Sequence, residues 1–210
     1  MRIVDLFCGS GGMSLGMQRA GHQIICGFDF DKHALAVHAA NIRSERKGIL
    51  ARVPLRDPHR KADLSNLLMY GPEIADLNAD VIVGGPPCVA FSTANPDRGD
   101  DKPAARLTES FAACVLLSRP RYFVMENVQE AQASVFWKRS VRLLKRAGYG
   151  LTTYEMDMSW FGVGQARERV FLLGAIGEAD GWATCYLDAA KDTKRTTVRD
   201  ILGSRCADLY

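Results

Sequence analysis

Three short segments hold residue types that could do covalent and acid–base chemistry. The first is Gly84-Gly85-Pro86-Pro87-Cys88-Val89-Ala90-Phe91-Ser92. Two prolines stiffen the backbone and set where Cys88 points. A thiol is the most nucleophilic of the neutral side chains and reacts as its thiolate, so Cys88 is the candidate nucleophile. The competing role for a cysteine is a buried structural one, and Cys26 and Cys114, inside apolar patterns, fit that role better. The second segment is Glu126-Asn127-Val128. A carboxyl group at the end of a strand, partly out of water, can have a raised pKa and donate a proton. Taken alone, the tripeptide reads equally well as a surface turn. The third is Gln165-Ala166-Arg167-Glu168-Arg169, leading into an apolar run. On a strand, alternate residues share a face, so Gln165, Arg167 and Arg169 are expected to point together. An amide and two guanidiniums on one face suit a carbonyl oxygen, a carboxylate or a phosphate. A polar solvent face is the plainer alternative.

Other segments have the makings of a binding site. Asp5-Leu6-Phe7-Cys8-Gly9-Ser10-Gly11-Gly12 follows an apolar start. Its glycines let backbone approach a ligand closely, and the helix after it offers its N-terminus. A bare tight turn would look the same. Phe28-Asp29-Phe30-Asp31 closes the next apolar run. An acid there can hold ribose hydroxyls and an aromatic neighbour can stack on a base. Asp29 could instead cap the following helix, but Asp31 is better placed for that. Asp63, in Lys61-Ala62-Asp63-Leu64, precedes another helix and reads either as a cap or as a contact to an adenine amino group.

Those segments need a scaffold, and the pattern supplies one. Strands are expected at Arg2–Phe7, Gln23–Phe28, Asp80–Val83, Arg121–Met125, Leu151–Met156 and Val170–Ile176. Helices are expected at Met13–Ala20, Asp31–Ile42, Leu107–Ser118 and Ser134–Ala147, two of them stopped by Gly21 and Gly148. This alternation predicts an α/β fold, a mostly parallel sheet with helices on both faces. Candidate residues then fall at carboxyl ends of strands, where ligands bind in such sheets. Residues 43–61 are rich in Arg, Lys and His and read as a solvated connection or as a phosphate-facing edge. Residues 93–105 have no periodicity and read as a mobile loop. One domain is expected over residues 1–178, with 179–210 as a C-terminal segment.

Composition sets the class. At 210 residues with 47% hydrophobic content, the chain can bury a substantial core. A net charge of +3 neither demands nor excludes a nucleic-acid partner. Six cysteines occur and no pair has Cys-x-x-Cys spacing, so neither zinc nor another metal is expected. No apolar stretch is long enough for a membrane span, and the N-terminus lacks a secretory signal. A cytoplasmic setting with free thiols is the expectation.

Taken in order, DLFCGSGG, FDFD, GGPPCVAFS, ENV and QARER resemble the motif series of DNA cytosine-5 methyltransferases, over roughly residues 2–176. The resemblance implies a Rossmann-like fold with S-adenosyl-L-methionine (AdoMet) as cofactor. Phe7, Gly9, Ser10, Gly11 and Gly12 would line its turn, Asp29 would take the ribose and Phe30 the adenine. Asp63 and Leu64 would complete the adenine pocket, with Pro87 and Leu107 on its border. Cys88, Glu126, Arg167 and Arg169 would be the catalytic set, acting on a cytosine flipped out of DNA, with loop 93–105 closing over it.

The sequence departs from that pattern in several places. Val89 stands where the family usually has Gln, and Gly164 where Pro precedes the Gln-x-Arg-x-Arg element. The loop after Cys88 is short and lacks the usual glycine after Phe-Ser. Thr196–Leu202 resembles the stretch before the family's target recognition region, and the motifs that follow it are missing. A second subunit supplying that region and a C-terminal helix is therefore expected. Two other readings are a minimal enzyme acting on single strands, RNA or a nucleotide, and an inactive AdoMet-binding subunit.

Overall fold

The computed structural model describes residues 1–42, 58–87, 99 and 102–203. Its elements, in chain order, are β1 (Arg2–Leu6), α1 (Gly12–Arg19), β2 (Gln23–Asp29), α2 (Lys32–Asn41), β3 (His59–Lys61), α3 (Leu67–Asp76), β4 (Val81–Gly84), α4 (Leu107–Ser118), β5 (Tyr122–Asn127), α5 (Val135–Arg146), β6 (Tyr149–Asp157), β7 (Glu168–Ile176), α6 (Thr184–Ala189) and α7 (Val198–Leu202).

The strands form one seven-stranded sheet of order β3-β2-β1-β4-β5-β7-β6. β1 pairs in parallel with β2 and β4, β2 with β3, and β4 with β5, whereas β7 is antiparallel to both β5 and β6. β1 and β4 are near-continuous apolar runs because central parallel strands are covered on both faces. The larger core joins Val4, Leu6, Phe28, Ile82, Phe123 and Met125 of the sheet to Ile74 of α3, Phe111 and Val115 of α4, and Phe136 and Leu144 of α5. Each of those phenylalanines contributes about 1.5–3 kcal/mol by leaving water. Alternate residues Ile3, Ile24, Val81 and Val83 make a smaller core on the opposite face, under Met13 and Met17 of α1.

Local chemistry fixes the helix ends. The Asp31 side chain accepts from the His33 N–H and caps α2, as its position suggested. Ser134 caps α5 in the same way, and Lys145 and Arg146 sit in the last turn where the helix dipole favours cations.

Three expectations are corrected. The basic stretch 43–61 ends in β3, an edge strand anchored on β2 by Gly27 N–H to Pro58 and Ala62 N–H to Asp29, both at 2.8 Å; residues 43–57 lie outside the described residues. The last residues of the expected loop 93–105 belong to a 3₁₀ turn, Pro103–Arg106, with Ala105 fully buried. The remainder of that loop, apart from Gly99 and Lys102, lies outside the described residues. β5 runs on through Glu126 and Asn127, because β7 continues to pair with it there.

Candidate active site

Sheet register lines up the carboxyl ends of four strands. Leu6 pairs with Phe28 on one side and with Gly84 on the other, and Gly84 pairs with Met125. Phe7, Asp29, Gly85 and Glu126, each one residue further on, therefore share one edge. The chain runs from β1 outward to β3 and then returns to β4, so β1 and β4 flank the point where strand order reverses. Open α/β sheets bind ligands at such points.

A cavity of about 450 Å³ opens at this edge. Its walls include Phe7, Asp29, Phe30, Asp63, Leu64, Pro87 and Leu107, residues drawn from five separate stretches of sequence. Ala62, Ser65, Gly85 and Ala104 complete it, and these the sequence reading did not single out. Gly9, Ser10, Gly11 and Gly12 do not line it; they form the neighbouring turn into α1. That turn is unusual in its backbone. Phe7 (φ 57°), Gly9 (φ 54°) and Gly11 (φ 95°) all lie in the left-handed region, which a bulky side chain such as Phe7 rarely adopts. A side chain at Gly11 would also be crowded, since an added Cβ would lie 3.0 Å from the His38 ring.

Asp29 ties the turn to β2. Its Oδ2 accepts the Gly9 N–H and its Oδ1 the Asp31 N–H, each at 2.8 Å. Phe30 is 68% exposed, with Lys61 Nζ 5.9 Å from its ring centroid. Asp63 accepts from the Ser65 N–H and hydroxyl, and the cap of α3 is Asn66, not Asp63.

Glu126 sits beside the cavity. A Cβ on Gly85 would come within 3.1 Å of its Oε2. Arg169 Nε meets Glu126 Oε1 at 2.9 Å, and Arg167 Nη2 lies 3.8 Å from the same oxygen. Both arginines thus converge on one carboxylate: antiparallel β7 carries Arg169, its second residue, back to the carboxyl edge of β5, and Arg167 lies just before the strand begins. The shared strand face expected of Gln165, Arg167 and Arg169 does not form, since only Arg169 lies within β7. Gln165 lies in the turn before β7, its N–H donating to the Val163 carbonyl. Cys88 follows Pro87 in sequence and lies outside the described residues.

Asn127 is a further site residue. It is 1% exposed, and its Nδ2 donates to the Pro86 carbonyl at 3.3 Å while its Oδ1 accepts the Val128 N–H. It therefore fastens the Pro-Pro stretch to β5. The signal was its place inside Glu-Asn-Val, which read as a unit without assigning the amide a task. Burial disfavours the reactive thiolate at other cysteines. Burial pushes the Cys8 thiol far up, aided by Asp5 and Asp29, and pushes Cys114 up to about 12. Cys26 is buried as well.

Beneath the glycine turn runs a buried polar relay. Ser14 Oγ donates to Asp5 Oδ2 at 2.6 Å and lies 3.1 Å from His38 Nε2, and His38 Nδ1 lies 2.8 Å from His59 Nδ1. The sequence reading missed it; the signal available was a carboxyl, Asp5, inside an otherwise apolar strand, which needs a partner. Among the described residues, no group of His, Cys, Asp and Glu is arranged to hold a metal, and no helix is long and apolar enough to cross a membrane.

Comparison with known proteins places this architecture. A family model for C-5 cytosine-specific DNA methylase matches residues 1–208. Type II methyltransferase M.HindV of Haemophilus influenzae is 35% identical over 204 residues, covering 97% of this chain and 62% of its own length. Type II methyltransferase M.HgiDI of Herpetosiphon aurantiacus is 32% identical over 203 residues, covering 97% and 61%. The chain thus spans about three fifths of the length of these relatives. A DNA modification methyltransferase encoded within an E. coli prophage has a similar structure, with a TM-score of 0.69 at 24% identity, over 97% of this chain and 54% of that one. The S. pombe Dnmt2 methyltransferase gives 0.66 at 18% identity, over 97% and 60%. The fold is a Rossmann-like one, shared with these two methyltransferases. By its match from the first residue to residue 208, the chain belongs to the C-5 cytosine-specific DNA methylase family.

Proposed function

We propose that the chain transfers a methyl group from AdoMet to C5 of cytosine in DNA, through a transient bond between the Cys88 sulfur and C6. The observation that carries this reading is a juxtaposition. The cavity walled by Phe7, Asp29, Phe30, Asp63, Leu64, Pro87 and Leu107 adjoins the Glu126–Arg169 ion pair, and Pro87 directly precedes Cys88. The cavity fits the cofactor in size, since small-molecule sites run from about 300 to 1,000 Å³. Its chemistry fits too. Asp29 and Asp63 offer acceptors for hydroxyl and amino groups, and Phe7, Phe30 and Leu64 offer flat or apolar walls.

Cytosine C5 is too weak a nucleophile unaided. The Cys88 thiolate adds to C6, the displaced electron pair moves into the ring, and Glu126, which takes up a proton as the base displaces the arginines from it, gives that proton to N3. The ring is then an enamine, nucleophilic at C5. Arg169, with Arg167 beside it, meets the O2 carbonyl and orients Glu126. AdoMet, when bound, supplies the electrophilic methyl group that C5 accepts. Water removes the C5 proton, the released pair expels Cys88 as thiolate, and N3 returns its proton to Glu126. Because stacking hides C6 in a duplex, the target cytosine must be flipped out.

Fluorine at C5 blocks the final proton loss, so DNA carrying 5-fluorocytosine should trap the enzyme covalently. Cys88→Ala should abolish both the adduct and turnover while AdoMet affinity stays within about twofold, since the nucleophile acts on the base and not the donor. Near-normal turnover by Cys88→Ala would rule out the covalent route.

We also propose that a second polypeptide supplies target recognition and a helix beside the cofactor turn, with the segment after residue 178 leading toward it. Open apolar surface favours this. A cavity of about 560 Å³ on the α1 face of the sheet is walled by Met17, Tyr122, Val124 and Trp182 and rimmed by the exposed Met1 and Tyr186. Val163, Val198 and Ile201 are exposed near the end of the described chain. Apolar patches of this kind mark surfaces that partners cover.

A further inference from the structure

The turn between β6 and β7 delivers Arg167 to Glu126, and it is held from outside by the C-terminal segment. Asp192 N–H donates to the Trp160 carbonyl at 2.8 Å, and Thr196 N–H to the Ser159 carbonyl at 2.7 Å. Lys191 Nζ lies 4.9 Å from the centroid of the Trp160 ring and the Arg195 guanidinium 5.4 Å from it, both within cation–π range. Arg195 also pairs with Asp157 at 3.1 Å, and Asp157 accepts from the Ser159 N–H and hydroxyl. Next in line, Met158 N–H donates to the Arg167 carbonyl at 3.0 Å. The gripped residues and the arginine are therefore one hydrogen bond apart.

Gly164 completes the arrangement. A Cβ there would lie 2.9 Å from the Thr197 carbonyl oxygen and from Ile201 Cγ1. The tail packs on bare backbone, so no proline would fit where this chain departs from the family pattern. α6 and α7, at six and five residues, are too short to be stable by helix propensity alone, so their order comes from docking.

We propose that residues 191–202 brace the arginine pair. Trp160, gripped by Lys191 and Arg195, and Gly164, seated under Thr197, are positioning residues that set how Arg167 and Arg169 meet Glu126. What the pair does for catalysis rests on the function proposed above; the brace itself does not.

The test compares Trp160→Ala, Trp160→Phe and Gly164→Ala in the full chain, with the recognition partner added if turnover needs it. AdoMet affinity is read by calorimetry and methylation by single-turnover rate on cytosine DNA. Exchange protection of the Arg169 Nε–H is read by NMR of ¹⁵N-labelled protein. Trp160→Ala and Gly164→Ala should slow methylation by roughly ten- to hundredfold, the scale of a misplaced catalytic group, and strip protection from Arg169 Nε–H. Trp160→Phe should recover a rate within about threefold of wild type, since phenylalanine keeps a cation-binding face. AdoMet affinity should hold within about twofold throughout, because the cavity walls are untouched. An Arg169 resonance unmoved by Trp160→Ala overturns the brace, as does loss of AdoMet affinity in step with rate. A wild-type chain that never methylates cytosine, yet shows the expected Arg169 response, would sink the functional reading and leave the brace standing.

Discussion

Asp29 carries several tasks on one carboxylate. Its two oxygens accept backbone donors from Gly9 and Asp31 while it also walls the cavity. Asp31 takes the capping role, so Asp29 is spared it. Replacing Asp29 by Ala would orphan both donors and cost about 1–3 kcal/mol for each that stays out of water. Asp29→Ala should lower AdoMet affinity more than alanine at any other cavity residue. Calorimetric titration checks this, and wild-type affinity in the variant would remove Asp29 from the binding site. Sequence put this residue at a strand end with Asp31 as the separate cap, because both are local patterns. It did not foresee that Gly9 would donate its N–H to Asp29, since that contact spans 20 positions.

Four elements, β1, α1, α2 and β3, are joined by the relay Asp5–Ser14–His38–His59. Burial pushes the Asp5 carboxyl up from 3.8 to about 7, against the pull of Ser14. Burial, then the neighbouring His59, pushes the His38 imidazole down from 6.5 to about 4. Folded Asp5 keeps a proton that the unfolded chain releases, so its contribution is full below pH 3.8 and lost as pH rises through about 7. Unfolded His38 takes a proton that the folded chain refuses, so its contribution is full above pH 6.5 and lost as pH falls through about 4. Between about pH 4 and 6.5 the two offset each other. Relative to wild type, His38→Gln should lose stability steadily as pH rises over that window, and Asp5→Asn should gain it. Urea denaturation at stepped pH reads this directly; parallel profiles for all three proteins would mean the relay does not titrate as a buried unit.

At the scale of the whole molecule, the site sits at a seam between what the sheet holds and what the tail holds. Asp180 accepts the Leu151 N–H at 2.9 Å and Thr152 Oγ1 accepts the Ala183 N–H at 3.0 Å, so the start of the tail is fastened to β6. Beyond it, the cavity on the α1 face of the sheet is rimmed by the exposed Met1 and Tyr186. If a second polypeptide covers that face and reads the target, the purified chain should methylate DNA slowly. Adding the polypeptide that carries target recognition should then raise the rate by at least about tenfold, as expected when a partner improves positioning. Vigorous, sequence-specific methylation by the chain alone would reject the second subunit.

Local pattern determined the element types, the apolar strands, the Asp31 cap and the segments that meet at the cavity, because burial and capping act over a few residues. Only the tertiary structure decided which strands pair and in which direction. Antiparallel β7 returns Arg169 to Glu126, and the edge of β2 turns His59–Lys61 into a strand that its polar sequence did not announce. The relay under the glycine turn and the clamp on Trp160 belong to the same class. Their partners lie 9 to 35 residues apart, and hydrogen bonds and cation–π contacts at that range leave no periodic trace in a sequence.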